Sequence, residues 1–199
     1  MKILFFADLH GDMKTLDALR KKARDVDIVI CAGDFTVMER DFDNLIEEFD
    51  NFQRPFILIH GNHEDEDRVR EACQNSKNLI FLHKGVHHIL DYLFMGYGGD
   101  GFSTTDEEFE EVADLFFKRE IEVKKKRRIV LITHGPPYGT KIDNVDGQYQ
   151  GNKSYRKFID EVKPHLVISG HLHETAGKHE KIGRTLLVNP GKKGAVIKL

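Results

Sequence analysis

The chain contains 199 residues, of which 40% are hydrophobic and 32% are charged. This apolar content supplies a sizeable core and excludes disorder for the bulk of the chain, and the length predicts a single domain over residues 1–199. Because 30 Lys and Arg residues are balanced by 33 Asp and Glu residues, the net charge is only -3, which disfavours a dedicated nucleic-acid or membrane-surface binder.

Short apolar runs rich in Ile and Val predict strands that are buried on both faces. The five runs cover residues 3–7, 28–32, 56–59, 129–132 and 166–168. Between them, apolar residues recur at helical spacing around 13–19, 42–49 and 109–117, and each set predicts an amphipathic helix that covers a sheet. The alternation of strand and helix predicts an α/β architecture.

The middle and the end of the chain follow a different pattern. Three successive short strands are predicted over 79–82, 86–90 and 92–97, and two more over 185–188 and 195–199. Glycines between several of these runs are turn signals. We therefore predict a second, partly antiparallel sheet.

Three further segments carry weaker signals. The glycine-rich loop 96–101 lacks the Lys and Ser/Thr of a phosphate-binding P-loop. The polar stretch 138–151 is long enough to be functional, although a plain surface connection explains it equally well. The basic run 124–128 follows a Glu-rich stretch, so we interpret it as solvating the end of a helix.

The cysteine usage and the N-terminus predict a cytoplasmic protein. Two cysteines, Cys31 and Cys73, cannot build a disulfide framework or a cysteine zinc site, which fits a reducing compartment. Only five apolar residues lie between Lys2 and Asp8, too few for a signal peptide or a membrane span.

Polar residues that can bind metal follow each of the five main strands directly. In strand order they are Asp8 and His10, Asp34, Asn62 and His63, His134, and His171 and His173. Gly-Asn-His is expected about 0.04 times and Gly-His-x-His about 0.05 times in a chain of this composition, so these motifs are informative. If the runs form neighbouring parallel strands, the side chains meet in one crevice beyond the carboxyl ends of the sheet.

The residue types suit one chemistry. Carboxylate, imidazole and amide groups form a nitrogen and oxygen ligand set, which suits Mn, Fe, Zn or Ni better than Cu(I). Seven of these eight residues acting as ligands would exceed the needs of one tetrahedral ion and would match two ions that share a carboxylate. Two metals about 3.5–4 Å apart can clamp the attacking and leaving oxygens of an in-line displacement at phosphorus.

This ordered set of motifs resembles that of the calcineurin-like metallophosphoesterase superfamily, and it spans most of the chain. The matching motifs are Asp8-x-His10, Gly33-Asp34, Gly61-Asn62-His63-Glu64, His134 and Gly170-His171-x-His173. The resemblance implies a four-layer α/β/β/α sandwich in which two mixed β-sheets face each other and helices lie outside.

The resemblance also implies a role for each matching residue. The two implied ligand sets are Asp8, His10, Asp34 and His173 for one divalent transition-metal ion, and Asp34, Asn62, His134 and His171 for the other. Asp34 would bridge the ions, which we expect to be manganese, with iron, zinc or nickel as alternatives. A hydroxide between the metals would attack phosphorus, while His63 would face the substrate, stabilise the phosphoryl charge and protonate the leaving oxygen as a general acid.

One segment departs from the family's protein-phosphatase branch, where Gly-Asp is followed by x-Val-Asp-Arg-Gly. Here Val37 replaces the carboxylate thought to steady the catalytic histidine, and the adjacent arginine is missing. Glu39 and Arg40 are candidates to compensate. The missing arginine and the small size favour the short microbial phosphodiesterases, and Asn189-Pro190-Gly191 also resembles a segment of those short members.

We therefore predict a two-metal phosphodiesterase that hydrolyses small phosphodiesters, such as cyclic nucleotides. The alternatives are a phosphomonoesterase or phosphoprotein phosphatase of the same superfamily, and a non-enzymatic protein-binding scaffold, which the complete ligand set disfavours. The expected partner is a small-molecule phosphoester, without membrane or stable nucleic-acid binding, and a homodimer is left open. The histidines outside the motifs, including His60 and His83, are interpreted as surface or hydrogen-bonded residues.

Overall fold

The first sheet combines four parallel strands with one antiparallel strand from the end of the chain. The computed structural model describes residues 1–99, 101–123 and 127–199. The strands of this sheet are β1 (Lys2–Phe6), β2 (Ile28–Ala32), β3 (Phe56–Ile59), β4 (Leu79–Phe81) and β13 (Ala195–Lys198), in the spatial order β13-β1-β2-β3-β4. Strands β1 to β4 run parallel, and β13 pairs antiparallel with β1.

The second sheet has four parallel strands flanked by an antiparallel strand at each edge. Its strands are β5 (Gly85–Ile89), β6 (Tyr92–Tyr97), β7 (Arg128–Thr133), β10 (Leu166–Ile168), β11 (His179–Ile182) and β12 (Thr185–Val188), in the order β11-β12-β10-β7-β6-β5. A separate small hairpin of β8 (Asn144–Val145) and β9 (Gln148–Tyr149) occupies the polar stretch 138–151.

Among the described residues, six α-helices cover the outer faces of the sheets. They are α1 (Met13–Ala23), α2 (Phe42–Asp50), α3 (Glu66–Gln74), α4 (Glu107–Val112), α5 (Lys118–Val123) and α6 (Lys153–Val162). Four of them begin at an Asp or Asn whose side chain accepts a backbone N–H of the first turn: Asp12, Asp65, Asp106 and Asn152. Such caps satisfy amide groups that have no partner within the helix.

Three apolar layers confirm the predicted four-layer sandwich. One packs α1 to α3 on the first sheet, one fills the space between the sheets, and one packs α4 and α6 on the second sheet. In β1, Leu4 and Phe6 face the helices while Ile3 and Phe5 face the other sheet, because successive strand side chains point to opposite faces. This two-sided burial explains the unbroken apolar runs in the sequence.

The structure differs from the sequence-based expectations at two places. The five main strands do not form one neighbouring set, since β1, β2 and β3 belong to the first sheet and β7 and β10 to the second. The segment predicted as one helix around 109–117 contains a π-helical turn at Ala113–Phe117. Such a turn shifts the helical register, so Phe117 is buried while Phe116 is 37% exposed.

Two sequence-based interpretations fall partly outside the described residues: the basic run, at 124–126, and the glycine-rich loop, at Asp100. A bilayer-spanning helix is absent from the described part of the chain, since none there has the necessary length and apolar character.

Candidate metal centre

The loops that follow β1, β2, β3, β7 and β10 meet between the two sheets and bring all of the predicted site residues together. Their ligand-type atoms form three overlapping clusters, within each of which they lie less than 4.8 Å apart. The clusters are Asp8, His10 and His173; His10, Asp34 and His63; and Asp34, His134 and His171. The Asn62 Oδ1 lies 3.2 Å from both His134 Nε2 and His171 Nδ1, and so joins the third cluster.

Left-handed backbone conformations aim several of these side chains. The φ angle is 56° at Asp8, 47° at His10, 51° at Asp34 and 68° at His171. A residue other than glycine costs on the order of 1 kcal/mol in this region, and such strain clusters at functional sites. Local sequence preference therefore does not explain these conformations, and the surrounding structure must hold them in place.

Two glycines of the motifs make room for the site. A Cβ atom at Gly61 would lie 2.1 Å from Asp34 Oδ1, and a Cβ at Gly33 would lie 2.7 Å from His134 Nδ1. Gly33 also has a φ of 89°, which glycine adopts at little cost. These contacts explain why glycine precedes the candidate ligands at both positions.

Hydrogen bonds to backbone carbonyls fix the orientation of two candidate ligands. The Nδ1 atoms of His10 and His134 lie 3.0 Å from Thr36 O and 2.9 Å from Ala32 O. A carbonyl only accepts, so Nδ1 carries the proton and, in the neutral ring, Nε2 presents its lone pair. Metal-binding histidines almost always donate their second ring N–H in this way.

The acceptor atoms of the first cluster also fit a cation. The Nε2 atoms of His10 and His173 lie 3.0 Å apart. The buried Asp8 Oδ2 has no hydrogen-bond donor among the described residues, and burial raises the pKa of the Asp8 carboxyl. A buried carboxylate oxygen without a donor is costly, and a divalent cation held with these imidazoles would remove that cost.

Charge pairing between Asp34 and His134 defines the third cluster. Burial opposes ionisation of Asp34, but the hydrogen bond and positive charge of His134 lower the pKa of this carboxyl. Burial likewise acts to lower the pKa of His134, but its hydrogen bond to Asp34 and the charges of Asp34 and Asp8 raise it to about 9. The two buried carboxylates thus attract positive charge, and metal binding here would displace a proton.

His63 has the opposite hydrogen-bonding pattern. Its Nδ1 accepts the backbone N–H of Met38 at 3.1 Å, so the proton of the neutral ring is on Nε2, which lies 3.9 Å from Asp34 Oδ2. The ring therefore offers this site an N–H donor and not a lone pair. A main-chain amide, that of Met38, thus contacts His63 where the protein-phosphatase pattern predicts a carboxylate. The carboxylate of Glu39, a candidate to compensate, instead accepts hydrogen bonds from the Arg68 guanidinium and the Asp65 amide.

Glu64 is a structural residue of the site to which the sequence analysis assigned no role. Its buried carboxylate accepts the backbone N–H groups of Asp34, Thr36 and Gly61 at 2.8–3.0 Å and the Thr36 hydroxyl at 2.7 Å. Burial raises the pKa of this carboxyl despite those bonds. The side chain ties the loop after β2 to the loop after β3, and so sets the position of Asp34.

We expect Glu64→Ala to lower the free energy of unfolding by about 3 kcal/mol or more, because it leaves three buried amides without an acceptor. Urea denaturation of the metal-free protein measures this change. Glu47→Ala, at an exposed position of α2, is the control and should change the same quantity by about 0.5 kcal/mol or less. Equal effects of the two substitutions would contradict the role of Glu64.

A fourth cluster is formed by His60, Glu66 and His83. Within it, His83 and Glu66 have the hydrogen bonding of a structural pair. The Nδ1 of His83 accepts the Gly98 N–H at 2.9 Å, so its Nε2 carries the proton and lies 3.2 Å from Glu66 Oε2. Burial lowers the pKa of His83 to about 3, which keeps the ring neutral. This geometry agrees with the interpretation of His83 as a hydrogen-bonded residue.

Comparison with known proteins places the chain in a family. The sequence model described as calcineurin-like phosphoesterase matches residues 1–175. The chain is 30% identical over 203 residues to the uncharacterized protein MJ1162 of Methanocaldococcus jannaschii, covering 97% of this chain and 89% of that one. It is 23% identical over 206 residues to the UPF0046 protein K07C11.7 of Caenorhabditis elegans, covering 95% and 69%.

Two solved structures share the fold. TT1561 of Thermus thermophilus superposes with a TM-score of 0.76 at 21% identity, over 96% of this chain and 90% of that one. A dimetal phosphatase from Danio rerio superposes with a TM-score of 0.67 at 11% identity, over 95% and 86%. These likenesses show the fold, and the family-model match over residues 1–175 shows that the chain belongs to the calcineurin-like phosphoesterase family.

Proposed function

We propose that this protein is a dinuclear-metal phosphodiesterase that hydrolyses small phosphodiesters. The observation that carries the proposal is the chain of three overlapping clusters, in which His10 connects Asp8 and His173 to Asp34, and Asp34 connects His10 to His134 and His171. Within each cluster the ligand-type atoms lie within 4.8 Å of one another. A shared carboxylate between two sets of ligands is the arrangement needed to hold two cations side by side.

We assign the ligands as the family resemblance implies. Asp8, His10, Asp34 and His173 would hold one ion, and Asp34, Asn62, His134 and His171 the other. Manganese is the proposed metal, and iron, zinc and nickel suit the same nitrogen and oxygen donors. When bound, two divalent cations supply Lewis-acid polarisation of phosphoryl oxygens and lower the pKa of bound water.

The chain's own contribution to the reaction centres on His63. Its Nε2–H can donate to an oxygen of the substrate, and the side chain is 24% exposed, so solvent can restore a proton after turnover. Transfer from a neutral ring would leave an unfavourable imidazolate. Full protonation of the leaving oxygen therefore needs a doubly protonated ring, for which Nδ1 must give up the Met38 amide.

The missing arginine argues for a diesterase over a phosphoprotein phosphatase. In the segment after Asp34, Arg40 is exposed and Glu39 pairs with Arg68, so this segment does not reproduce the Asp-Arg pair of that branch. A phosphomonoesterase, which would use the same two-metal hydrolysis, remains the alternative. A scaffold has no physical need for buried carboxylates that face imidazole lone pairs, and this disfavours the non-enzymatic alternative.

The test is a comparison of esters with several metals. Purified protein, stripped with a chelator and reloaded with Mn, Fe, Zn or Ni, is assayed with bis(p-nitrophenyl) phosphate, p-nitrophenyl phosphate and a phosphoserine peptide. We expect the diester to give the highest kcat/KM, with manganese. A higher value for either monoester would replace the proposal with a phosphatase, and inactivity with every metal would favour the scaffold.

A further inference from the structure

A pocket of about 290 Å³ opens beside the candidate metal centre, on the side of His10 and His173. Ala176, Gly191 and Lys192 form one wall of this pocket. Among the described residues that line it, Lys192 is the only lysine or arginine. If a phosphoryl group of the substrate lay in the metal centre, the part of the substrate that extends into this pocket would therefore lie near the positively charged Lys192 ammonium.

Asp12 holds the Lys192 ammonium at this pocket. The Lys192 Nζ lies 2.9 Å from Asp12 Oδ2. Asp12 is itself fixed as the cap of α1, because it accepts the Thr15 amide at 3.0 Å and the Thr15 hydroxyl at 2.8 Å. An exposed ion pair of this kind adds little stability, so its main effect is to place the cation.

The ammonium retains the capacity to bind a ligand. Lysine has three N–H donors, Asp12 accepts one of them, and the Lys192 side chain is 52% exposed. A phosphate oxygen can take a second donor without breaking the pair with Asp12. Hydrogen bonds between an ammonium and a phosphate are about twice as strong as neutral ones.

A second cavity of about 450 Å³ continues outward from the same wall. It shares Ala176, Gly191 and Lys192 with the first pocket and adds His179 and Lys193. In the part of the chain that the structure describes, no Asp or Glu lines this outer cavity. The charged residues that line this cavity are Lys192 and Lys193, whereas Asp8 and Asp12 also line the first pocket.

We propose that Lys192 forms a subsite for a second phosphate group of the substrate, carried on the portion that extends beyond the hydrolysed phosphodiester. This inference rests on the proposed phosphodiesterase function and narrows its substrate class to diesters that bear a further phosphate. The pocket offers space for the second phosphate group, and Asp12 positions the Lys192 ammonium, whose positive charge would attract that phosphate.

The test compares two esters that differ only in the second phosphate: the p-nitrophenyl ester of thymidine 5′-phosphate, with and without a 3′-phosphate. We expect the wild type to prefer the 3′-phosphorylated ester through a lower KM. Lys192→Gln should reduce the ratio of the two kcat/KM values by about tenfold. Lys192→Arg should largely retain the ratio, because it keeps the positive charge.

Lys198→Gln is the matched control, since Lys198 is exposed on β13 and lines neither cavity. The same ratio in the wild type and Lys192→Gln would overturn the subsite, as would a wild type without preference. An increase in that ratio for Lys192→Gln would overturn it as well.

Calorimetric binding of thymidine 3′,5′-bisphosphate and thymidine 5′-phosphate separates this inference from the proposed function. If neither ester is hydrolysed with any metal, the phosphodiesterase proposal fails. The subsite is then still supported if Lys192→Gln weakens only the bisphosphate by about tenfold, and overturned if both affinities change equally.

Discussion

Asp34→Asn should lower the metal content of the purified protein from about two divalent ions per chain to one or none, and reduce kcat/KM for diesters by at least about 100-fold. Asp34 belongs to two of the overlapping clusters, and it is the residue assigned to both ions. An amide carries no charge and offers one ligand oxygen where the carboxylate offers two. The substitution therefore removes both the bridge and the negative charge that attracts the cations.

Elemental analysis after loading with manganese measures this effect, and Asp43→Asn is the matched control. Asp43 lies on α2 with a side chain that is 91% exposed, where it pairs with Arg68, so its substitution should leave the metal content intact. Retention of two ions by Asp34→Asn, with activity near that of the wild type, would show that the bridging assignment is wrong.

His63→Gln should keep the full metal content but lose turnover of esters with poor leaving groups by about 10²–10⁴-fold. His63 offers an N–H at Nε2 because its Nδ1 accepts the Met38 amide, unlike the candidate ligands His10 and His134. An alkyl leaving oxygen needs a proton or a strong hydrogen bond, whereas a nitrophenolate leaves without one. Nitrophenyl esters should therefore lose much less activity.

His88→Gln is the control for this substitution, since His88 is exposed on β5 near Glu120. Equal losses for good and poor leaving groups would remove the proton-donor role. Loss of metal would instead indicate that His63 is a ligand. The structure allows this alternative, because ligand-type atoms of His63, His10 and Asp34 lie within 4.8 Å of one another. Steady-state rates for a series of leaving groups, combined with metal analysis, separate these outcomes.

The strands and the site residues could be predicted from the sequence because each is marked by a short, local sequence pattern. A strand buried on both faces must be apolar at every position, which makes runs such as residues 28–32 visible. Motifs such as Gly61-Asn62-His63 are rare enough to stand out from the composition. The ends of these strands then indicate which side chains come together, and the structure brings Asp8, Asn62 and His171 to one place.

Other features depend on tertiary contacts that no short segment encodes. Run length does not reveal which strands pair, so the division of the main strands between two sheets came only from the structure. The exposure of Phe116 follows from a π-helical turn, and the contact of Met38 with His63 uses a main-chain amide that any residue other than proline would supply. Glu64 is visible in its motif, but its role depends on burial, which the sequence does not report.

We propose that side chains which follow strands of both sheets hold a pair of cations that share Asp34. The most direct measurement is a crystal structure of the manganese-loaded protein with anomalous diffraction data. We predict two anomalous peaks about 3.5–4 Å apart, with Asp34 bound to both, Asp8 to one and Asn62 to the other. A single peak, or peaks outside these clusters with Asp34 unbound, would contradict the claim.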